Sequence, residues 1–469
     1  MVITTLIAMM ALLVFLAMRS RRNPLFLAGA AAYLALGRSI FIDIWPNQPV
    51  LGLALTRFTA GDLLAAALGL GWLYARTRRP VPCVRLAPVW ARLGILIAAF
   101  FAVEFVLACV GFTELHPALM LTTRDWFYIP LGYFITLDVL RRFTTDETAQ
   151  YIGVLSLFTV FASVLYVASS LGLPIYSYRK NLVTVFAGTT IIRDFSPVSF
   201  WAGLAWCYYL SRPRKGVWTY VALAAVASGV LISYSRQFIA LLVATAVLAT
   251  ALMLVRHGQR VRVIIIVGVA CAALVAVVLT LGPVVAPAQI GYLQERLGLL
   301  VQSGSIRDDL TTQLRLRAFD QARAAGARVD PFVGAGLFDS SGGMYGRYWS
   351  SDSDWIGIVY STGWTGVIVL AMPFGVGLWR AIRGFTKRQP SSVATTLLLT
   401  GCLSTAWYLG YKFGSDAYVW WPAVSLLPVA LIARAEAVPA AAAAARVPVS
   451  YRAQPFEEPA GLLNEVSRS

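Results

Sequence analysis

The residues best suited to chemistry in this 469-residue chain are arginines and aspartates at three places along the sequence. The pair Ser235-Arg236 interrupts a long apolar run, LISYSRQFIALLVATAVLATALMLV. Further arginines follow in the polar stretch 283–354, which ends with Asp352 and Asp354. A guanidinium held against apolar sequence is expected to meet an anion, and a nearby carboxylate can accept or orient a proton. These residue types predict a site for an anionic group with a proton acceptor beside it.

The composition predicts that membrane-spanning helices position these residues. The chain is 58% hydrophobic and 13% charged, and apolar stretches long enough to cross a bilayer recur from end to end. We therefore expect an all-α, polytopic membrane protein with about 13 transmembrane helices. The predicted spans lie near residues 3–18, 24–42, 60–75, 93–110, 122–140, 151–172, 195–211, 217–234, 236–255, 262–282, 355–379, 392–411 and 417–434.

The formal charge of +17 could suggest a nucleic-acid partner, but the basic residues occupy every second loop between the predicted spans. The positive-inside rule explains this pattern, because basic residues are concentrated in cytoplasmic loops. The positive charge therefore needs no nucleic-acid partner to explain it, and none is expected. The same rule predicts an external N-terminus and a cytoplasmic C-terminus. The basic loops contain Arg19/Arg21/Arg22, Arg76/Arg78/Arg79/Arg85/Arg92, Arg141/Arg142, Arg212/Arg214/Lys215, Arg256/Arg260/Arg262 and Arg380/Arg383/Lys387/Arg388.

The spans and polar stretches divide the chain into four parts. We predict an N-terminal transmembrane bundle at 1–282, an external loop at 283–354, C-terminal transmembrane helices at 355–434 and a disordered cytoplasmic tail at 435–469. The external segment, called the long loop below, is the longest polar stretch, and loops of this length usually carry function. Helical spacing of its apolar residues predicts short helices at 288–301 and 305–328.

Three motifs, in order, carry a resemblance to a known family. The first is the Ser-Arg of SYSRQF at the outer end of a span. The second is RLRAFDQARAAGARVDPFVGAG, in which an arginine precedes an aromatic residue by four positions and Pro-x-x-Gly-x-Gly follows. The third is DSDWIGIVYSTGWTG, in which a polar pair stands eleven residues before Gly-x-x-Gly. Over about residues 230–370 the chain resembles the bacterial O-antigen polymerase and ligase family.

The resemblance implies a metal-independent glycosyltransferase of the bacterial inner membrane. Such an enzyme uses a polyprenyl-diphosphate-linked glycan as donor and a second lipid-linked oligosaccharide as acceptor, among membrane lipids, and a chain-length regulator is a candidate partner. Ligases of the family carry a His-Asn pair where this chain has Asp352-Ser353. This departure favours a polymerase of surface polysaccharide, whether O-antigen, capsule or exopolysaccharide.

The family motifs and the charges near them define the candidate site. Arg236 and Arg315 match the motif arginines and are assigned to the diphosphate, because guanidinium groups bind phosphate oxygens in a bidentate manner. Arg124 and Arg193 stand on the same predicted side and could extend this anionic site. Asp352 is the candidate general base or hydroxyl-orienting group, with Asp354 as the alternative. The substrate-binding candidates in the long loop are Arg317, Tyr345, Tyr348 and Trp349.

Each assignment has a structural alternative. Arg236 could extend to the lipid headgroups, and the two aspartates could cap the following span. Arg124 and Arg193 could pair with the acidic residues that follow them. The aromatic residues of the long loop could form an interfacial belt.

Two other functions remain open. One is an O-antigen ligase, which transfers the glycan to a lipid A core or a protein. The other is a transporter or lipid flippase, which would place its charges near the bilayer midplane and break corresponding helices in two halves. No cofactor and no metal are predicted, since nucleotide-binding loops and metal-ligand spacings are absent from the sequence.

Overall fold

The computed structural model of the chain describes residues 49–53, 56–110, 120–171, 173, 183–186, 188–192, 200–213, 215–257, 287–288, 290–292, 295, 320, 330–334, 336, 354–386, 391–412 and 422–439. This part of the chain is mostly helical, as the sequence predicts. Its helices are α1 (Ala60–Arg78), α2 (Pro88–Cys109), α3 (Met120–Leu140), α4 (Thr145–Ser170), α5 (Phe200–Ser211), α6 (Val217–Ile232), α7 (Arg236–His257), α8 (Asp354–Thr386), α9 (Ser392–Lys412) and α10 (Leu427–Ala435).

Four helices are long and apolar enough to cross a membrane, among the residues described. They are the segments Pro88–Cys109, Thr145–Ala168, Thr362–Phe385 and Ser392–Gly410. Shorter apolar helices lie at Trp126–Leu140, Val217–Ile232 and Gln237–Met253. Such apolar helices indicate a membrane protein.

The described helices match the predicted spans between 60 and 255 and between 355 and 411 in position. The predicted spans 3–18, 24–42 and 262–282 lie outside the described residues, so the count of about 13 stays a prediction. Where 417–434 was predicted as one span, the described part from Pro422 onward forms a 3₁₀ turn, Pro422–Val424, and then α10. Pro428 explains in part why a new helix begins here. A proline is best tolerated in the first turn of a helix, and Pro428 lies in the first turn of α10.

Short β-hairpins accompany the helices, which the all-α prediction did not include. β1 (Pro49–Leu53) pairs with β2 (Thr56–Thr59), and β4 (Val183–Phe186) pairs with β5 (Thr189–Ile192), both antiparallel. β3 (Val84–Arg85) pairs with β6 (Val438–Pro439), four residues into the predicted tail. The rest of that tail lies outside the described residues.

The core of the described bundle surrounds α9. This helix contacts α5, α7, α8 and α10, and its apolar window is 78% buried. The corresponding windows of α2 and α8 are only 39% buried, and they expose large apolar residues such as Val103 and Ile368. An apolar surface of this kind on a helix is suited to contact with lipid acyl chains.

The described helices have their ends at two opposite poles. One pole holds the end of α3 and the start of α4, and it is called the Arg142 pole. α2 and α8 run antiparallel, because Arg380 lies over the Trp90 ring near this pole and Phe100 lies against Gly366 further along. The opposite end, where α6 turns into α7, is called the Tyr234 pole. α3, α7 and α8 all begin at the Tyr234 pole.

Candidate functional site

The Tyr234 pole contains the three predicted site residues that lie on described helices. Arg236 is the first residue of α7, Asp354 is the first residue of α8, and Arg124 is the fifth residue of α3. The helices therefore bring these three positions to one end of the bundle, and the side chains lie outside what the structure describes. The other predicted site residues are also outside the described part of the chain: Arg193, Arg315, Arg317, Tyr345, Tyr348, Trp349 and Asp352.

A tight turn joins α6 to α7 directly before Arg236. Tyr234 in this turn has a φ of 54°, a left-handed conformation that is unfavourable by about 1–2 kcal/mol for a residue with a side chain. The Ser233 hydroxyl donates to the Val230 carbonyl at 2.6 Å, and the Ser235 amide donates back to that hydroxyl at 3.4 Å. Residues in strained conformations of this kind are concentrated at functional sites.

The long loop and the β4–β5 hairpin both pack on this turn. The Tyr234 ring meets the Tyr292 ring edge to face, with centroids 5.0 Å apart and planes at 82°. Ile191 of β5 completes a small buried cluster with these two tyrosines. Tyr292 belongs to the long loop, so this contact holds the start of that loop against the Ser235-Arg236 motif.

The first residue of α7 is an unusual place for an arginine. The amide groups at a helix N-terminus carry partial positive charge, so an anion is favoured there and a cation is disfavoured. Gln237 fixes the orientation of this turn, because its side-chain amide donates to the Gly410 carbonyl at 2.6 Å near the end of α9. An anion bound at this position would interact with both the helix N-terminus and a guanidinium.

The second and third motifs contact each other directly. The segment Pro331–Gly334 forms a turn in which the Asp330 carboxylate accepts from the amides of Phe332 and Val333, at 2.7 and 3.0 Å. This turn docks on α8 where the helix is broken at Gly363, which has φ 60° and ψ −164°.

Backbone hydrogen bonds explain why α8 breaks at Gly363. The Trp364 amide donates to the Pro331 carbonyl at 3.0 Å, and the Thr365 amide donates to the Phe332 carbonyl at 3.4 Å. In a regular helix these two amides would donate to carbonyls one turn earlier in α8. A side chain at Gly363 would overlap the backbone of Pro331 and Phe332, so only glycine permits this close approach.

A buried carboxylate that the sequence analysis did not single out lies near this junction. Glu104 is on the face of α2 that otherwise buries apolar residues, and it is only 4% exposed. The buried residues of this face are Trp90, Leu93, Gly94, Ile97, Phe100, Phe101, Glu104 and Ala108. The signal was present in the sequence, because a glutamate at helical spacing within an apolar span is expected to face the bundle interior.

The Arg142 pole carries a dense polar network that the sequence analysis interpreted only as cytoplasmic charge. The Arg142 guanidinium donates to Asp138 at 3.1 and 3.2 Å and to the carbonyls of Arg79 and Pro80. The Trp72 indole also donates to Asp138, at 2.8 Å. This network ties α1, α3 and the connection after α1 together.

Arg79 and Arg434 extend the same network to α4 and α10. Arg79 forms a bidentate pair with Glu147, with both bonds at 2.7 Å, and these hydrogen bonds raise the pKa of the Arg79 guanidinium above its ordinary value. The buried Arg434 donates to the Phe143 carbonyl at 2.7 Å. We interpret this pole as structural, because its arginines pair with Asp138 and Glu147 or donate to backbone carbonyls.

The described residues contain no group of three or more histidine, cysteine, aspartate or glutamate side chains arranged to hold a metal ion. The chain matches no protein-family model, and no curated protein is significantly similar to it.

Proposed function

We propose that this protein polymerises undecaprenyl-diphosphate-linked oligosaccharide repeats into surface polysaccharide at the outer face of a bacterial inner membrane. The Tyr234 pole then faces the periplasm, with the N-terminus outside and the C-terminus in the cytoplasm. The donor glycan is transferred to a second lipid-linked unit, and undecaprenyl diphosphate is released.

The observation that carries this proposal is the position of Arg236 at the first residue of α7, directly after the left-handed Tyr234. A cation at a helix N-terminus is electrostatically unfavourable unless an anion joins it there. Strained backbone conformations persist where the surrounding structure over-determines them, often at ligand sites. A diphosphate supplies the anion, and the arginine supplies a bidentate donor for its oxygens.

The contacts among the motifs support a single site for them. Tyr292 holds the start of the long loop beside Arg236, and Pro331–Gly334 holds a later part of the loop on α8. Between these two anchors the loop contains Arg315, and after the second anchor it leads to Asp352. Two anchored ends reduce the conformational entropy that is lost when the loop orders around a substrate.

The chemistry required of the protein is positioning and charge stabilisation. The donor already carries a good leaving group, so the enzyme holds two sugars in line and neutralises the charge that develops on the diphosphate. In this proposal Arg236 and Arg315 bind the diphosphate, with Arg124 and Arg193 extending the positive field. Asp352 or Asp354 accepts the proton of the acceptor hydroxyl or orients that hydroxyl, and the aromatic residues of the long loop contact the sugars.

The test is the glycan profile of a bacterial strain that lacks this protein. Polymerase function predicts that lipid-linked single repeats accumulate and long chains disappear, and that purified protein added to the extracted single repeats restores long chains. Long chains that remain on the lipid carrier would instead indicate a ligase. Single repeats confined to the cytoplasmic leaflet would indicate a flippase, and either result would refute the polymerase proposal.

A further inference from the structure

Two exposed arginines lie over exposed aromatic rings at the ends of α1 and α8. Cζ of Arg78 is 5.4 Å from the centroid of the Tyr74 ring, and Cζ of Arg383 is 5.5 Å from that of the Trp379 ring. All four side chains are exposed. Both helices end at the Arg142 pole, so the two pairs lie at the same end of the bundle. The proposed function has not used either pair.

The pair on α8 ends an exposed stripe along that helix, which is long and apolar enough to cross a membrane. Four exposed residues follow one another at spacings of four, seven and four, which place them on one helix face: Ile368, Met372, Trp379 and Arg383. The stripe is about 22 Å long at the helical rise. One membrane leaflet with its headgroups is about 20 Å thick, so the stripe has the length of a lipid molecule.

A shorter stripe on α1 has the same order of residue types. Leu70, Tyr74 and Arg78 follow one another at intervals of four residues, and the Leu70 side chain is 68% exposed. In both stripes the apolar side chains come first, the ring second and the arginine last, nearest the pole. Aromatic rings favour the headgroup level of a bilayer, and guanidinium groups bind phosphate oxygens. The order therefore matches the acyl chains, the glycerol region and the phosphate of a phospholipid.

The charges at this pole favour an anionic headgroup. Three carboxylates near the helix ends are already paired with other arginines: Asp138 with Arg142, Glu147 with Arg79, and Glu436 with Arg380. Their negative charge is thus offset, and it repels an incoming phosphate little. A guanidinium that lies over a ring face is also less hydrated, which strengthens its attraction for an anion.

We propose that the ends of α1 and α8 bind anionic phospholipids of the leaflet at the Arg142 pole. Arg78 and Arg383 bind the headgroup phosphate, Tyr74 and Trp379 contact the glycerol region, and the exposed apolar residues before them contact the acyl chains. In the orientation proposed above this is the cytoplasmic leaflet, whose anionic lipids attract basic residues beside membrane helices. This contact lies at the pole opposite the proposed glycan site and does not depend on polymerase function.

The test measures lipid binding by the purified full-length protein in detergent. Phosphatidylglycerol or phosphatidylcholine with the same acyl chains is added, bound lipid is counted by native mass spectrometry, and the thermal midpoint is recorded. We expect phosphatidylglycerol to bind about tenfold or more tightly than phosphatidylcholine and to raise the midpoint further. The double variant Arg78→Gln with Arg383→Gln should lose this preference by about tenfold or more. Both side chains are exposed, so its midpoint without added lipid should stay near that of the wild type.

A matched control removes the same charge from the same pole. Arg85 and Arg212 are exposed and lie outside both stripes, so Arg85→Gln with Arg212→Gln should keep phosphatidylglycerol affinity within about threefold of wild type. A second variant, Tyr74→Leu with Trp379→Leu, keeps the charges and an apolar surface but removes the rings. It should weaken phosphatidylglycerol binding by about threefold or more, because the arginines lose the faces that hold them.

Three results would overturn the proposal. The first is equal binding of the two lipids by the wild-type protein. The second is an equal loss of affinity in the Arg85 and Arg212 control, which would indicate a general attraction to positive charge. The third is a rise in the thermal midpoint with glycerol phosphate as large as the rise with phosphatidylglycerol, which would indicate a site for a free anion. No glycan substrate enters these measurements, so a failure of the polymerase proposal leaves them unchanged.

Discussion

At the scale of single residues, Arg236 occupies a position that its own helix disfavours. It begins α7, where backbone amides already present partial positive charge, and it follows a tyrosine in a left-handed conformation. A lysine would supply the same charge but lacks the planar pair of donors that fits phosphate oxygens.

We therefore expect Arg236→Ala to reduce polymer formation by about 100-fold or more with normal protein level and membrane insertion. Arg236→Lys should restore little of this activity. Polymer is measured on gels of surface glycan, and protein level on immunoblots of membranes. Full activity of the lysine variant would favour an arginine that only reaches the lipid headgroups.

The acidic residues before α8 need a separate test, because Asp352 lies outside the described residues and only the backbone of Asp354 is described. If Asp352 accepts or orients the proton of the acceptor hydroxyl, Asp352→Asn should lower the polymerisation rate by about 100-fold or more. If it only caps α8, asparagine is an equally good cap and the rate stays normal. Asp354→Asn is the control for the motif register. If only this variant loses polymerisation, the catalytic role belongs to Asp354, two residues after Asp352.

At the scale of elements, both α8 itself and the turn at Pro331 contribute to the break in α8. Gly363 has a conformation that is essentially restricted to glycine, and the turn at Pro331 accepts the two amides that the break releases. This junction connects the long loop to α8, which contacts both α2 and α7, so its geometry affects how the loop is held on the bundle.

Gly363→Ala should therefore undock the Pro331 turn and destabilise the protein by about 1–3 kcal/mol, with loss of polymer. The measurement is thermal unfolding of the purified protein together with the glycan profile. Gly375→Ala is the matched control on the same helix, because a Cβ built there meets nothing within 4 Å. This control should be neutral or slightly stabilising. Equal tolerance of both changes would contradict the docking role.

The Arg142 pole offers a second matched pair of substitutions. Arg142 and Arg141 both form ion pairs with Asp138, but the Arg142 side chain is 4% exposed and the Arg141 side chain is 42% exposed. Arg142→Ala should lower the free energy of unfolding by about 3 kcal/mol, since it removes a buried guanidinium that donates to the Arg79 and Pro80 carbonyls and is one of the three donors to Asp138. Arg141→Ala should change it by less than about 1 kcal/mol. Denaturant or thermal unfolding in detergent measures both, and similar losses would refute the buried network as the reason.

At the scale of the whole molecule, the prediction concerns orientation. The alternation of basic loops places Gly216 and Gly258 in the cytoplasm and Gly304 and Gly342 outside. Single cysteines at these positions, in a background without the native cysteines, are tested with an impermeant thiol reagent on intact spheroplasts. Gly216 is a favourable site for this, because it is exposed and a Cβ there meets nothing within 4 Å. Labelling at 304 and 342 alone is expected, and labelling at 216 or 258 would reverse the orientation and place the proposed site in the cytoplasm.

The sequence by itself determined where the described helices lie, because the length and apolar character of a span are local properties of the chain. Ala60–Arg78, Met120–Leu140 and Arg236–His257 all follow predicted spans to within a few residues. The same local reasoning placed Arg236 and Asp354 at helix starts. It could not predict the β-hairpins, whose pairing depends on neighbours rather than on span length.

Only the tertiary structure decided which distant groups meet. The Tyr234 and Tyr292 rings are in contact although a predicted span separates them in the sequence. The Pro331 turn docks at a break in α8, and the Gly-x-x-Gly motif alone does not predict this break. The apolar span around Glu104 indicated an interior position for this carboxylate, but only the fold shows that the neighbours of α2 are α3 and α8. Burial is a property of the assembled bundle, so the 4% exposure of Glu104 follows from the packing of these helices and not from the local sequence.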